Sequence, residues 1–328
     1  MKADLADIAQ LISEGDNFLV ITHANPDGDA IGSIFALANL LRENGKKADA
    51  LLSAPLPCNY MDLAPREFKT SITEEDLQAY SLCLCVDVSI PERADLGPDL
   101  TIDSLKIPLI NIDHHPDNKL FGTKNLVNPN SAATAEIIFF LAKKIPSWKI
   151  SPETATLLLL GIIMDTGCYK FDNASPEAMN ASAELLELKA DHHKIIKYMF
   201  FSKQEAYLRL TADITLNHLK TACDGRYAWF YLDDSLLASY NVEMKDTEGL
   251  IEIARMIDTV EIAAVIYKKD KDFKISLRSK CPDCSVGKIA RKFNGGGHEL
   301  AAGAIIKASN IQEAENILLE SVKQELKS

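Results

Sequence analysis

At 328 residues, 47% of them hydrophobic, the chain exceeds a single typical core and carries enough apolar side chains for two domains. Its net charge of −12 excludes a cationic track along long duplex nucleic acid, because such binding needs Lys and Arg to neutralise many phosphates. No apolar run approaches a membrane span, the segment from Met1 to Asp7 lacks a signal-peptide core, and seven cysteines do not suggest a disulfide framework, so the expected location is cytoplasmic.

In chain order, the apolar run from Phe18 to Ile21 reads as a strand and releases His23, Asp27 and Asp29 beyond its end. Residues 30–44 follow with a helical pattern closed by Gly45. The run from Leu82 to Val86, in which Cys83 and Cys85 act as small buried hydrophobes, reads as a second strand and delivers Asp87. The run from Pro108 to Ile112 reads as a third and delivers Asp113, His114 and His115. Helical patterns return at 132–144 and after Ser151 and Ser175, each an N-cap followed by proline. The first of these proline-led helices gives way to Gly167 just after Asp165. Residues 185–219 read as helix without strand, and beyond them 227–232, 260–268 and 273–278 read as strands with helices between and after. Alternation of strand and helix implies crossovers and a parallel sheet. The expected fold is therefore α/β: a parallel-sheet domain over 1–185, a helical connector over 186–220, and a smaller α/β domain over 221–328, with no internal repeat.

Side chains just beyond the carboxyl ends of neighbouring parallel strands converge on one crevice. His23, Asp27, Asp29, Asp87, Asp113, His114, His115 and Asp165 can thus share a site. A lone His or Asp at a strand end is ordinarily a cap or a solvated loop residue, but the pattern recurs at matching positions. Carboxylates in such number repel one another, and two divalent cations are the simplest neutralisation. Imidazoles mixed with carboxylates favour Mn²⁺, Fe²⁺, Co²⁺ or Zn²⁺ over Mg²⁺, and Mn²⁺ is the expected ion. Further along, Gly295, Gly296 and Gly297 allow close backbone approach and lead to His298, a pattern suited to binding phosphate or nucleotide. Arg278, Lys280, Lys288, Arg291 and Lys292 surround it. Asp191, His192 and His193 repeat the earlier Asp-His-His triplet but precede a helical pattern, and read as a helix start. Cys281 and Cys284 have zinc-knuckle spacing without a second pair nearby, and read as a turn with a redox-sensitive pair as the alternative.

The successive segments around His23, Asp27 and Asp29, the isolated Asp87, the triplet Asp113-His114-His115 and Asp165 resemble the motifs of the DHH phosphoesterases, and the run from Phe293 to Gly303 resembles the glycine-rich motif of the DHH-associated domain. The resemblance spans nearly the whole chain and is strongest to the bacterial branch that trims very short oligonucleotides (nanoRNA) and removes the 3′-phosphate from adenosine 3′,5′-bisphosphate (pAp). It implies an active site in the cleft between the two domains. His23, Asp27 and Asp87 would hold one ion and Asp29, Asp87, His114 and Asp165 the other, with Asp87 bridging. Two such ions, about 3.5–4 Å apart, would activate water for in-line attack on phosphorus. Asp87 and His115 are the implied catalytic residues, with His115 facing the scissile phosphate; Asp113 would orient a ligand imidazole. Arg278, Gly295, Gly296, Gly297 and His298 would bind substrate. The implied partners are short single-stranded RNA or DNA, pAp or dinucleotides, with no membrane, no long duplex, and a homodimer left open. Alternatives are a linear or cyclic dinucleotide phosphodiesterase, an inorganic pyrophosphatase, and a nucleotide sensor without turnover. No Gly-x-Gly-x-x-Gly follows the first strand, which argues against a dehydrogenase-type nucleotide fold.

Overall fold

The computed structural model describes residues 2–327 other than 54, 58, 59, 66 and 248. The chain forms two compact units, Met1–Ser202 and Lys203–Ser328, so the division falls inside the helical stretch 186–220. No described helix is long and apolar enough to cross a membrane.

The first unit contains α1 (Leu5–Glu14), β1 (Asn17–Ile21), α2 (Gly28–Glu43), β2 (Lys47–Leu51), α3 (Glu74–Leu77), β3 (Leu82–Val86), β4 (Leu109–Asp113), β5 (Lys124–Val127), α4 (Thr134–Lys143), α5 (Pro152–Asp165), α6 (Pro176–Glu187) and α7 (His192–Phe200). Its five strands pair in parallel in the order β2-β1-β3-β4-β5. Chain order reverses between β1 and β3, and this switch point is where open parallel sheets place their ligands. Both faces of the sheet are covered. Phe18, Val20, Leu84, Val86, Ile110 and Ile112 pack with α1, α2, α4 and α5 on one side. Leu19, Ile21, Cys83, Cys85 and Leu109 pack with Leu77 and Tyr80 on the other. This two-sided burial explains the continuous apolar runs of β1, β3 and β4.

Helix α2 is buried on nearly its whole circumference, and it meets α5 at backbone distance. A Cβ on Gly32 would lie 2.5 Å from the Leu157 carbonyl oxygen and 2.9 Å from the Gly161 nitrogen. The two helices carry Asp29 and Asp165, so their close approach also brings these carboxylates to one end of the sheet.

The second unit contains α8 (Glu205–Asp213), a single π turn (Ile214–His218), β6 (Lys220–Ala222), β7 (Tyr227–Leu232), α9 (Asp234–Ser239), α10 (Ile251–Arg255), β8 (Ile262–Lys269), β9 (Asp272–Ser279), α11 (Val286–Lys292), β10 (Gly296–Gly297), β11 (Ala301–Ile306) and α12 (Ile311–Glu325). Its mixed sheet runs β10-β11-β9-β8-β7-β6, with only β7 and β8 parallel. Three of its strands match the sequence reading closely. The small-residue segment that follows His298, by contrast, forms a full strand, β11, in the interior of the sheet.

Gly32→Ala adds a methyl group against backbone that cannot rotate away, and is expected to destabilise the first unit by about 1–3 kcal/mol. Urea unfolding followed by the fluorescence of Trp148 should show an earlier transition; an unchanged midpoint would mean that the helices separate at no cost.

Candidate active site

The chain leaves β1 through Thr22, whose hydroxyl donates to the Val86 carbonyl at 2.9 Å and ties the exit to the end of β3. His23 follows, 4% exposed. Its Nδ1 lies 3.0 Å from the Ala24 carbonyl, so Nδ1 carries the hydrogen and Nε2 faces Asp87 Oδ2 at 3.7 Å. Asp27 caps α2, its Oδ1 accepting from the N–H groups of Asp29 and Ala30, both at 3.1 Å.

Asp29 is buried in the first turn of α2. Its Oδ1 accepts from the Ser33 hydroxyl at 3.1 Å and from Ala135 N–H at 3.0 Å, and its Oδ2 from Thr134 N–H at 2.6 Å. The carboxylate therefore sits on the N-terminus of α4, where unpaired N–H groups and the helix dipole favour negative charge.

Asp87 follows β3 in the left-handed backbone region, with φ of 59°. Asp tolerates this conformation better than most residues, and such strain clusters at functional sites. The turn is held by Asp87 N–H donating to the Ile112 carbonyl at 3.0 Å, while Thr134 Oγ1 donates to Asp87 Oδ1 at 3.0 Å.

From the end of β4, His114 points Nδ1 at the Ser131 carbonyl at 3.2 Å. Its Nε2 lies 3.7 Å from Asp87 Oδ1, 3.5 Å from Asp165 Oδ2 and 4.0 Å from Asp29 Oδ2. Asp165, at the end of α5, thus reaches the same group. Sequence reasoning expected Asp113 to orient a ligand imidazole; instead its Oδ1 lies 2.7 Å from Nδ1 of His115, the residue expected to face substrate. Asn118 Nδ2 donates to the other oxygen of Asp113 at 2.5 Å and to Asn111 Oδ1 at 2.8 Å, fixing the carboxylate from behind. Asp113 is the last residue of β4; His114 and His115 follow it outside the strand, their rings 4.8 Å apart and edge to face, and His115 Nδ1 also lies 3.6 Å from Asp87 Oδ1.

The donor atoms fit divalent ions. The Nε2-to-carboxylate separations of 3.5–4.0 Å are too long for good hydrogen bonds yet suit atoms that each bind one cation at about 2.1 Å. Three such groups share Asp87: His23 with Asp27 and Asp87, Asp29 with Asp87 and His114, and Asp113 with Asp87 and His115; in the third, Asp113 is already taken up by His115 and Asn118. Electrostatics agree. Burial and then the Asp87 charge push Asp29 well above the usual carboxylate range. Burial opposes ionisation of Asp87 too, but the adjacent imidazole of His23 and the neighbouring charges of His115 and His114 outweigh it and hold Asp87 far below that range. Burial works against charge on His23 and His115, yet Asp87 and Asp27 raise His23, and the bond to Asp113 with the charge of Asp87 pushes His115 up to about 10.

The second-unit residues have their own surroundings. Arg278 lies on β9, its Nη1 donating to the Leu277 carbonyl at 3.0 Å. Gly296 and Gly297 form the short β10, paired with Gly303 and Ala302, rather than an open loop. A Cβ on Gly295 would lie 2.2 Å from the Gly303 carbonyl oxygen, and Gly297 has φ of 126°, so this hairpin itself requires both glycines. Of the surrounding cations, Arg291 pairs with Glu299 at 2.7 Å, Lys292 binds Gln324 at 2.8 Å, Lys288 faces Glu325 at 3.7 Å, and Lys280 Nζ donates to the Ile257 and Asp258 carbonyls. Asp191 caps α7 and leaves His192 and His193 exposed, as its sequence context implied.

Residues 17–162 match the DHH family, N-terminal domain, and residues 227–327 match the DHHA1 domain. The chain is 30% identical to the bifunctional oligoribonuclease and PAP phosphatase NrnA of Thermus thermophilus, across 94% of this chain and 89% of that one. It is 26% identical to the protein of the same name from Bacillus subtilis, across 96% of each. An exopolyphosphatase-related protein from Bacteroides fragilis shares the fold, with a TM-score of 0.88, 23% identity, and coverage of 98% of this chain and 95% of that one.

Sequence reasoning did not reach Thr134, which donates to both Asp29 and Asp87. The small polar run before α4 marks a helix start, but its convergence on two distant carboxylates is a product of the fold. Thr134→Val keeps the backbone donor to Asp29 and removes the hydroxyl donor to Asp87. It is expected to weaken metal affinity or turnover roughly 10- to 100-fold, as loss of an orienting partner does. Isothermal titration with Mn²⁺ alongside kinetics measures this; wild-type values would leave Thr134 with a packing role alone.

Proposed function

The chain belongs to the DHH family, and from that membership we infer a phosphoester hydrolase whose substrates are short oligonucleotides and pAp. The observation that carries the chemistry is that the two oxygens of Asp87 face different donor groups, Oδ2 towards His23 and Oδ1 towards His114, each at 3.7 Å. One carboxylate between two sets of donors suits a pair of cations.

We assign His23, Asp27 and Asp87 to one ion and Asp29, Asp87, His114 and Asp165 to the other; the ions, manganese by the mixture of imidazole and carboxylate, would activate water and stabilise charge developing at phosphorus. The protein's own groups do the rest. Asp113, held by Asn118, orients His115, so that His115 can donate a hydrogen bond or a proton to the leaving oxygen. The N-terminus of α4 seats and orients the Asp29 carboxylate, and the left-handed turn at Asp87 fixes the shared carboxylate.

Residues 1–185 would thus carry the reaction and 221–328 would bind substrate, with 186–220 connecting them. Arg278 and His298 would hold the remaining phosphate or nucleotide, on the rigid frame that Gly295, Gly296 and Gly297 give the hairpin. A net charge of −12 favours substrates with few phosphates, for which local cations suffice. Turnover of such nucleotides would place the enzyme in the cytoplasm.

Chelator-stripped protein should be inactive and recover best with Mn²⁺; it should then release mononucleotide from pApA and phosphate from pAp, with little action on pyrophosphate. Dominant pyrophosphate hydrolysis, or nucleotide binding with no product over hours, would overturn the assignment.

The division of roles is separately testable. His298→Ala should keep its metal and lose about 2–4 kcal/mol of transition-state binding, roughly 30- to 1,000-fold in kcat/KM, as for a charge-assisted contact. Asp29→Ala should lose metal as well as turnover. Metal depletion in His298→Ala would make His298 a ligand instead.

A further inference from the structure

The second unit holds another group of metal-type donors. Cys281 and Cys284 sit in a tight turn just after β9, closed by Cys284 N–H donating to the Cys281 carbonyl at 3.0 Å. Ser279 braces the turn: its hydroxyl donates to the Cys281 carbonyl at 2.9 Å and accepts from Cys281 N–H at 3.1 Å. Glu261 immediately precedes β8. Pairing of Ile262 with Ser279, and Lys280 N–H donating to the Glu261 carbonyl at 2.8 Å, bring Glu261 against the turn. One ligand atom from each of Glu261, Cys281 and Cys284 lies within 4.8 Å of the others. Both thiols are free, and the group opens onto a surface cavity of about 510 Å³ also lined by Asp258 and Asp283.

We propose that Glu261, Cys281 and Cys284 form a binding site for a thiophilic divalent cation of the zinc class. Zinc bound to sulfur at about 2.3 Å and to oxygen at about 2.0 Å with tetrahedral angles needs a sulfur-to-oxygen separation of about 3.5 Å. The Cys284 thiol donates to Glu261 Oε2 with Sγ 3.4 Å from that oxygen, so replacing its proton by the cation needs little movement of either ligand. The carboxylate is already aimed, because Arg226 Nε and Nη2 grip its two oxygens at 2.7 and 2.9 Å. Two thiolates and the carboxylate supply the negative charge that a divalent cation needs beside the Arg226 guanidinium, while the two thiol protons pass to solvent. Three protein ligands and a fourth position open to the cavity is an accepted zinc arrangement. The rival chemistry for two nearby thiols is a disulfide, which requires an external oxidant and gives Glu261 no role.

The test strips the full-length protein with chelator under reducing conditions, adds Co²⁺, and records the thiolate-to-cobalt charge-transfer absorption before and after Zn²⁺ displacement. Wild-type protein and Asp87→Ala are both expected to give the band, and elemental analysis after zinc loading should find more zinc in wild type than in Cys281→Ser/Cys284→Ser. The double variant should give no band while its metal-free melting curve matches wild type. Glu261→Gln should keep the thiols and weaken zinc binding at least roughly tenfold. No band in wild-type protein, equal zinc in wild type and double variant, or zinc affinity indifferent to Glu261 would overturn the proposal, as would thiols recovered only as a Cys281–Cys284 disulfide.

Discussion

Asp87 is the constraint on which the first unit depends. Its carboxylate is 3% exposed and within 4 Å of three imidazoles, in a region that also buries Asp29 and Asp113. Each buried carboxylate would cost several kcal/mol if left uncompensated. The fold answers each one differently. Asp29 is seated on the N-terminus of α4, Asp113 is gripped by Asn118 and His115, and Asp87 takes one hydroxyl and the imidazoles. That leaves Asp87 as the carboxylate whose charge is balanced by groups that bind cations.

The topology makes this compensation local. Because strand order runs β2-β1-β3-β4-β5, the exits of β1, β3 and β4 are neighbours, and Thr134 at one helix N-terminus can serve both Asp29 on α2 and Asp87 after β3. Helices α2 and α5 add Asp29 and Asp165 only because Gly32 and Gly161 let their backbones touch. A Cβ on Gly161 would lie 2.6 Å from Asp29 Oδ1, so the same glycine that permits packing also leaves room for the ligand-type carboxylate. Stability and chemistry are therefore coupled at this crossing.

Much of this was legible in the sequence because strands buried on both faces write themselves as apolar runs, and polar residues directly after them can only be at strand exits. β1, β3, β4 and the end of α5 were all visible this way. The edge strands β2 and β5 were not, since Lys47–Leu51 and Lys124–Val127 are short and only partly apolar. β11 was hidden because Ala and Gly carry little strand signal, and its identity comes from pairing with β9. The partner of Asp113 and the role of Thr134 depend on side-chain direction and on contacts over long sequence separation. Glu261 likewise gains meaning only through the β8–β9 register, which sets it beside two cysteines that spacing alone left as a turn.

The central claim is that one carboxylate serves two cations at the switch point of the sheet. Anomalous diffraction from crystals soaked in Mn²⁺ tests it most directly. Two peaks are expected, one on each side of the Asp87 carboxylate, the first beside His23 and Asp27 and the second beside His114, Asp29 and Asp165. A single peak, or peaks that leave Asp87 paired only with imidazoles, would contradict it.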